Sequence, residues 1–176
     1  MPTPAFTWYK CTGTNAATET DCSNHPCWLN EDIHAVDTEN YQVAAPQEVD
    51  TYNYSYEYVL RGKLTAAAPN YVENVKVSGP AYQPDVDLDP LNKMTVMWGR
   101  TKTPTTPIDT ASIIATVSQH DNYYQEGNAL ALTDVATQLV LNGYLDWWLY
   151  SQLKVGYGAQ PGTLPVVTFD LWFEVS

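Results

Sequence analysis

The chain has 176 residues, enough for one domain with a buried core, and its formal net charge of −12 comes from 20 acidic and 8 basic side chains. That balance excludes a basic nucleic-acid footprint and disfavours anionic membranes as partners. The charged fraction is 16%, against about 25% in ordinary domains, while 13 Tyr and 6 Trp outnumber 3 Phe. Rings with an apolar body and a polar tip suit half-buried sheet faces and interfaces.

The opening Met1-Pro-Thr-Pro-Ala-Phe6 has neither a basic n-region nor an apolar core, so no signal peptide is expected. No apolar run approaches the ~20 residues of a membrane helix. Phe6 to Thr12 reads as a strand, with Trp8 and Lys10 on one face and Tyr9 and Cys11 on the other. Periodicity then disappears across 13–50, a segment read as an irregular Cys-containing insertion or arm, with at most an edge strand near Tyr41 to Ala44. Such an arm is expected to contact neighbouring subunits.

Tyr52, Tyr54, Tyr56, Tyr58 and Leu60 fall at every second position. This predicts one long strand over Tyr52 to Leu64 with a single aromatic face. Tyr71 to Ser78 is the next strand, with Tyr71, Glu73, Val75 and Val77 opposite Val72, Asn74 and Lys76. Gly79 to Pro90 reads as a loop, Met94 to Gly99 as a strand, Thr101 to Pro107 as an extended Thr/Pro stretch, and Ser112 to Val117 as a short strand. Leu130 to Leu141 is the one helix candidate, with a strand around Gln138 to Leu141 as its alternative. Asn142-Gly143 marks a turn. Leu145 to Val155 and Val166 to Val175 alternate cleanly as closing strands. The prediction is a single all-β domain over 1–176: an antiparallel β-sandwich, jelly-roll-like or immunoglobulin-like, with six to eight strands and at most one short helix.

Chemistry-bearing motifs are sparse. A nucleophile elbow, a phosphate-binding glycine loop and a His-Glu-x-x-His run are all missing, so no catalytic, cofactor-binding or metal residue is assigned and no enzymatic activity is expected. Cys11, Cys22, His25, Cys27 and His34 could supply zinc ligands, but they lack paired Cys-x-x-Cys knuckles; free thiols or one disulfide are the alternatives. His120, like the other two histidines, falls in a predicted loop. Asp85, Asp87 and Asp89 alternate in a loop; Pro90 stands where the twelve-residue calcium loop needs glycine, which leaves a looser calcium site or a solvated acidic loop as the readings. Trp148, Tyr150 and Trp172 lie on strand faces that would form a sugar platform if left open, or pack on a second sheet if not.

Four patches occur in a telling order. They are Tyr54-Ser-Tyr-Glu-Tyr-Val-Leu-Arg61, Val72-Glu-Asn-Val-Lys-Val-Ser78, the run from Gly99 through the Thr/Pro stretch to Thr110 and on to Ser112, and Gln152-Leu-Lys-Val-Gly156 continuing through Ala159-Gln-Pro-Gly-Thr163 to the last strand. Together they resemble a family of small β-sandwich structural proteins of tailed double-stranded DNA bacteriophages; the segment 13–50 does not match it. The resemblance implies a non-enzymatic virion component without catalytic residues. The expected role is a capsid decoration, or cement, protein on the outer head surface, synthesised in the host cytoplasm and bound to the major capsid protein. A homo-oligomer is implied, with a trimer favoured. A tail or head–tail joining protein, and a carbohydrate- or host-surface-binding module, are the alternatives.

Overall fold

The computed structural model describes residues 3–22, 28–31, 43–49, 51–66, 70–78, 94–107, 129–159 and 170–176, with backbone alone over 94–98. Nine strands run through them: β1 (Ala5–Thr12), β2 (Thr18–Asp21), β3 (Tyr52–Tyr54), β4 (Tyr58–Ala66), β5 (Val72–Ser78), β6 (Met94–Thr101), β7 (Leu130–Ala131), β8 (Trp148–Gly156) and β9 (Asp170–Val175). Every strand pairing is antiparallel. The larger sheet runs β2-β1-β4-β8, with β3 also on β8 and β6 on the opposite edge of β8; the smaller runs β7-β5-β9. Leu64, Leu149, Leu153 and Val155 from the first meet Val72, Val75, Val77 and Leu130 from the second in one core. The fold is therefore the all-β, sandwich-like class expected, with nine strands among the described residues where six to eight were expected. No α-helix occurs among the described residues.

β3 and β4 share one edge of β8, and the join between them departs from expectation. Tyr54 pairs with Lys154 and Tyr58 with Ser151, so Ser55, Tyr56 and Glu57 stand opposite only Leu153 and Gln152. This is a β-bulge: one extra residue that breaks the ladder and reverses the facing of the residues beyond it. The Ser55 side chain repairs the break. Ser55 N donates to Leu153 O at 2.9 Å, and Ser55 Oγ accepts from Leu153 N at 2.9 Å. The Gln152 amide donates to Ser55 O at 3.1 Å, and Tyr56 N to Leu29 O at 2.9 Å. The buried backbone groups of the bulge thus find partners, as burial demands. The predicted single aromatic face does not form. Tyr52 and Tyr54 share the outer face with Lys154, whereas Tyr58, 2% exposed, and Leu60 lie on the inner face with Leu149.

A second bulge lies in the smaller sheet. Glu73 pairs with Glu174 and Lys76 with Trp172, leaving Asn74 and Val75 opposite Phe173. Asn74 takes φ 52°, a left-handed conformation that Asn tolerates better than most residues. The extra residue brings Val72 to the same side as Val75 and Val77, where regular alternation placed it opposite them; all three are buried.

The helix candidate is not a helix. Leu130 and Ala131 form β7, a turn comes next in which Thr137 N bonds Asp134 O at 3.0 Å, and Leu139 bridges Val72. Val135 and Val140, which the helical stripe needed inside, are 91% and 57% exposed. The Asn142-Gly143 turn forms as predicted: Asn142 has φ 66° and Gly143 N donates to Val140 O at 2.8 Å. Leu145 N then bonds Gly62 O at 2.9 Å, and Tyr144 bridges Lys63. Residues 139–145 therefore lace the smaller sheet to the larger.

The segment 13–50 is more regular at its start than its composition suggests. Gly13 (φ 76°) and a 3-10 turn over Thr14–Ala16 fold β2 back on β1 as a hairpin. Further on, the described residues cover the chain's own larger sheet. Trp28 Nε1 donates to Ser151 Oγ at 2.9 Å, Leu29 is buried, and Val43 and Ala45 pack on the core. Val43 and Ala44 are not in a strand; Tyr41 and Gln42, the predicted loop 79–90 and the predicted strand 112–117 lie outside the described residues.

Candidate functional site: rings covered by cations

Cationic side chains are scarce in this chain, and their placement is its clearest chemical pattern. Of the eight Lys and Arg residues, six lie over aromatic rings: Lys10, Arg61, Lys63, Arg100, Lys102 and Lys154. A cation over a ring is drawn to the negative face of its π system, and the ring shields part of the cation from water.

The densest group is on the outer face of the larger sheet. The Arg61 guanidinium sits 4.0 Å from the centre of the Trp148 ring and 4.3 Å from that of Tyr144. Lys63 lies 5.1 Å from the same Tyr144 ring, and the Tyr9 ring centre is 6.4 Å from it. Glu19 on β2 completes the group, 3.6 Å from Arg61 Nη1, and it accepts the Tyr144 hydroxyl at 2.9 Å. That hydrogen bond, more than the partial burial beside it, holds the Tyr144 phenol above its usual range. The strands explain the arrangement: Tyr9 pairs with Arg61 and Lys63 with Tyr144, so cross-strand neighbours alternate ring and charge.

A second group closes one end of the sandwich. Arg100 lies 4.0 Å from the Trp147 ring and donates to Ala131 O on β7; Lys102 lies 5.0 Å from the same ring and pairs with Asp134. The Lys102 contact lowers the Asp134 carboxyl. Lys154 covers Tyr52 at 3.7 Å.

Replacing Arg61 by alanine removes two ring contacts and the Glu19 partner. The expected loss is about 1–2 kcal/mol, from about 0.5–1 for each partly exposed contact. Arg61→Lys is expected to recover less than half of it, because an ammonium cannot lie flat between two rings. Urea unfolding of the three proteins checks this; equal midpoints would show that the stack is idle.

Trp148, Tyr150 and Trp172, the residues proposed from sequence as a sugar platform, do not form one. Tyr150 is fully buried over Cys11, Val59 and Ala16, and its hydroxyl accepts from Thr105 N at 3.0 Å. Burial raises its phenol above the usual range. Trp148 is half-buried beneath Arg61. Trp172 is 45% exposed and stands on the smaller sheet, away from both.

The cysteines are separated by the sheet. Cys11 faces Val59 and Tyr150 on the outer side, and burial pushes its thiol up to about 12. Cys22 Sγ donates to Trp8 O at 3.2 Å on the inner side, and burial raises it too. Both thiols are free, and they lie on opposite faces of the sheet. His25, Cys27, His34, His120 and Asp85, Asp87 and Asp89 lie outside the described residues; among those described, no three His, Cys, Asp or Glu side chains gather.

Sequence reasoning does not pair Arg61 or Lys63 with rings. The signal is present as a shortage of cations beside an excess of Tyr and Trp. What hides it is distance along the chain: Tyr144 and Trp148 reach β4 only through the 139–145 crossing and β8. No protein-family model matches the chain, and comparison with the curated proteins and with the solved structures found no match.

Proposed function

We propose that this chain is a non-enzymatic structural protein of a virus particle, a decoration (cement) protein that binds the outer surface of a tailed-phage head and stabilises the shell. Its partner in this reading is the major capsid protein, and copies act together, with a trimer favoured so that weak contacts multiply at local three-fold positions. The observation that carries the reading is the use of cations as covers for the chain's own rings. It gives a sheet face whose rings are paired with the chain's own cations, and it leaves the acidic excess of the chain for its partners. A sugar-binding face works the other way, since it needs two or more rings open for stacking. The resemblance of the four sequence patches supplies the choice of a phage head; a tail or head–tail joint is the variant of the same reading.

Mass spectrometry of purified particles, scaled to the major capsid protein, tests it. Copy numbers comparable to the capsid protein support decoration. A handful of copies moves the chain to the tail or the joint, and absence from particles overturns the virion role.

A further inference from the structure

Strand β9 pairs with β5 along one edge only; its other edge meets no strand among the described residues. Such an edge presents backbone donors and acceptors ready for another extended chain. Its side chains divide cleanly. Asp170, Trp172 and Glu174 are exposed on the outer face, while Leu171 and Phe173 lean into the core. Charged residues on an edge ordinarily serve to block unwanted pairing. Blocking alone does not account for an indole that is 45% exposed on the same face as the two acids. Nor is the indole loose: Trp172 Nε1 donates to Ser78 Oγ at 2.9 Å, so the ring is held in place before anything binds. Preset aromatic anchors are the residues that carry most of an interface's energy.

The charges select the occupant. A second copy pairing antiparallel about Trp172 would set Asp170 against Glu174 twice. In-register parallel pairing would set each acid against itself. Like charges directly opposite are unfavourable, and this sheet already holds one such pair, Glu73 facing Glu174 across β5–β9. Lys76 is the one cation on this outer face among the described residues.

We infer that the edge of β9 turned away from β5, unpaired among the described residues, takes an extended, cationic segment of another protein as a fourth strand of the smaller sheet. The register defines its pattern: a Lys or Arg facing Glu174, another four residues on facing Asp170, a ring or β-branched residue between them on Trp172, and apolar residues at the two intervening positions beside Phe173 and Leu171. This inference rests on β9 alone and stands whether or not the chain is a virion protein.

The test is hydrogen–deuterium exchange of the full chain, titrated with a short synthetic peptide centred on Lys-Val-Thr-Val-Lys. Exchange over 170–176 is expected to slow by about tenfold at saturation, and the Asp170→Lys/Glu174→Lys variant is expected to lose the effect. Both positions are exposed, so the variant keeps its core, and its unfolding midpoint verifies that. Equal protection by a scrambled peptide of the same composition would reduce the effect to charge attraction and overturn the inference. Unchanged exchange would overturn it, as would self-association that protects 170–176 without peptide. Peptide protection combined with absence from virus particles would sink the virion reading and leave this one standing.

Discussion

Truncating Leu145 to alanine is expected to cost about 2–5 kcal/mol of unfolding free energy, and the loss should fall sharply in a second background. Leu145 is fully buried between the two sheets, and its methyl group fills the space where Gly62 has no side chain. A Cβ on Gly62 would stand 2.5 Å from Leu145 Cδ1 and 3.3 Å from Trp8 Cη2. Leu145 is fully enclosed, so Gly62→Ala alone should cost about 1–3 kcal/mol by overpacking. Once Leu145 is alanine, the new methyl group has space and fills part of the cavity. The two substitutions should therefore couple favourably by about 1–3 kcal/mol. Urea unfolding of the four proteins measures the cycle. Simple additivity would mean that the close approach of the 139–145 crossing to β4 is not what the glycine serves.

Ser55→Ala is expected to cost about 1–3 kcal/mol, the effect of stranding one buried donor. Ser55 is fully buried, and its hydroxyl is the group that receives Leu153 N where the extra residue leaves no carbonyl in register. Alanine has nearly the same shape and cannot accept. Amide exchange should report the defect locally, with Leu153 becoming faster than its neighbours in β8. A loss under about 0.5 kcal/mol with unchanged exchange at Leu153 would show that the ladder closes without the hydroxyl.

These two sites also show where sequence reasoning succeeds and where it stops. β1, β8 and β9 are legible because each is a regular strand with distinct inner and outer residues: Leu149, Leu153 and Val155 are buried as their spacing requires. The tyrosine run reads as one strand because period two is indifferent to a bulge, and nothing in Ser55-Tyr-Glu57 announces an extra residue. Val72 is misplaced for the same reason, since Asn74 looks like an ordinary strand residue until its backbone turns left-handed. The segment 130–141 imitates a helix because two short buried stretches, Leu130 to Leu132 and Leu139, fall by chance at helical spacing. The covered rings are invisible for a different cause: cation and ring are far apart in sequence and meet only after the sheet has formed. Spacing alone leaves the cysteines open, and strand parity separates Cys11 from Cys22.

The bulges at Ser55–Glu57 and at Asn74 have a consequence for how such a chain can vary in length. Each adds one residue to a strand whose partner is unchanged, and each exchanges inside for outside at that point. Deleting a residue between Ser55 and Glu57 would restore an unbroken ladder, but it would turn Tyr52 and Tyr54 inward or Tyr58 and Leu60 outward. A deletion at Asn74 would do the same to Val72 or to the pair Val75 and Val77. Substitutions along these strands can be absorbed one side chain at a time, whereas a change in count inverts half a strand at once. Insertions and deletions are therefore expected in the connections, and the residue count of β3–β4 and of β5 is as much a part of the fold as their hydrophobic side chains.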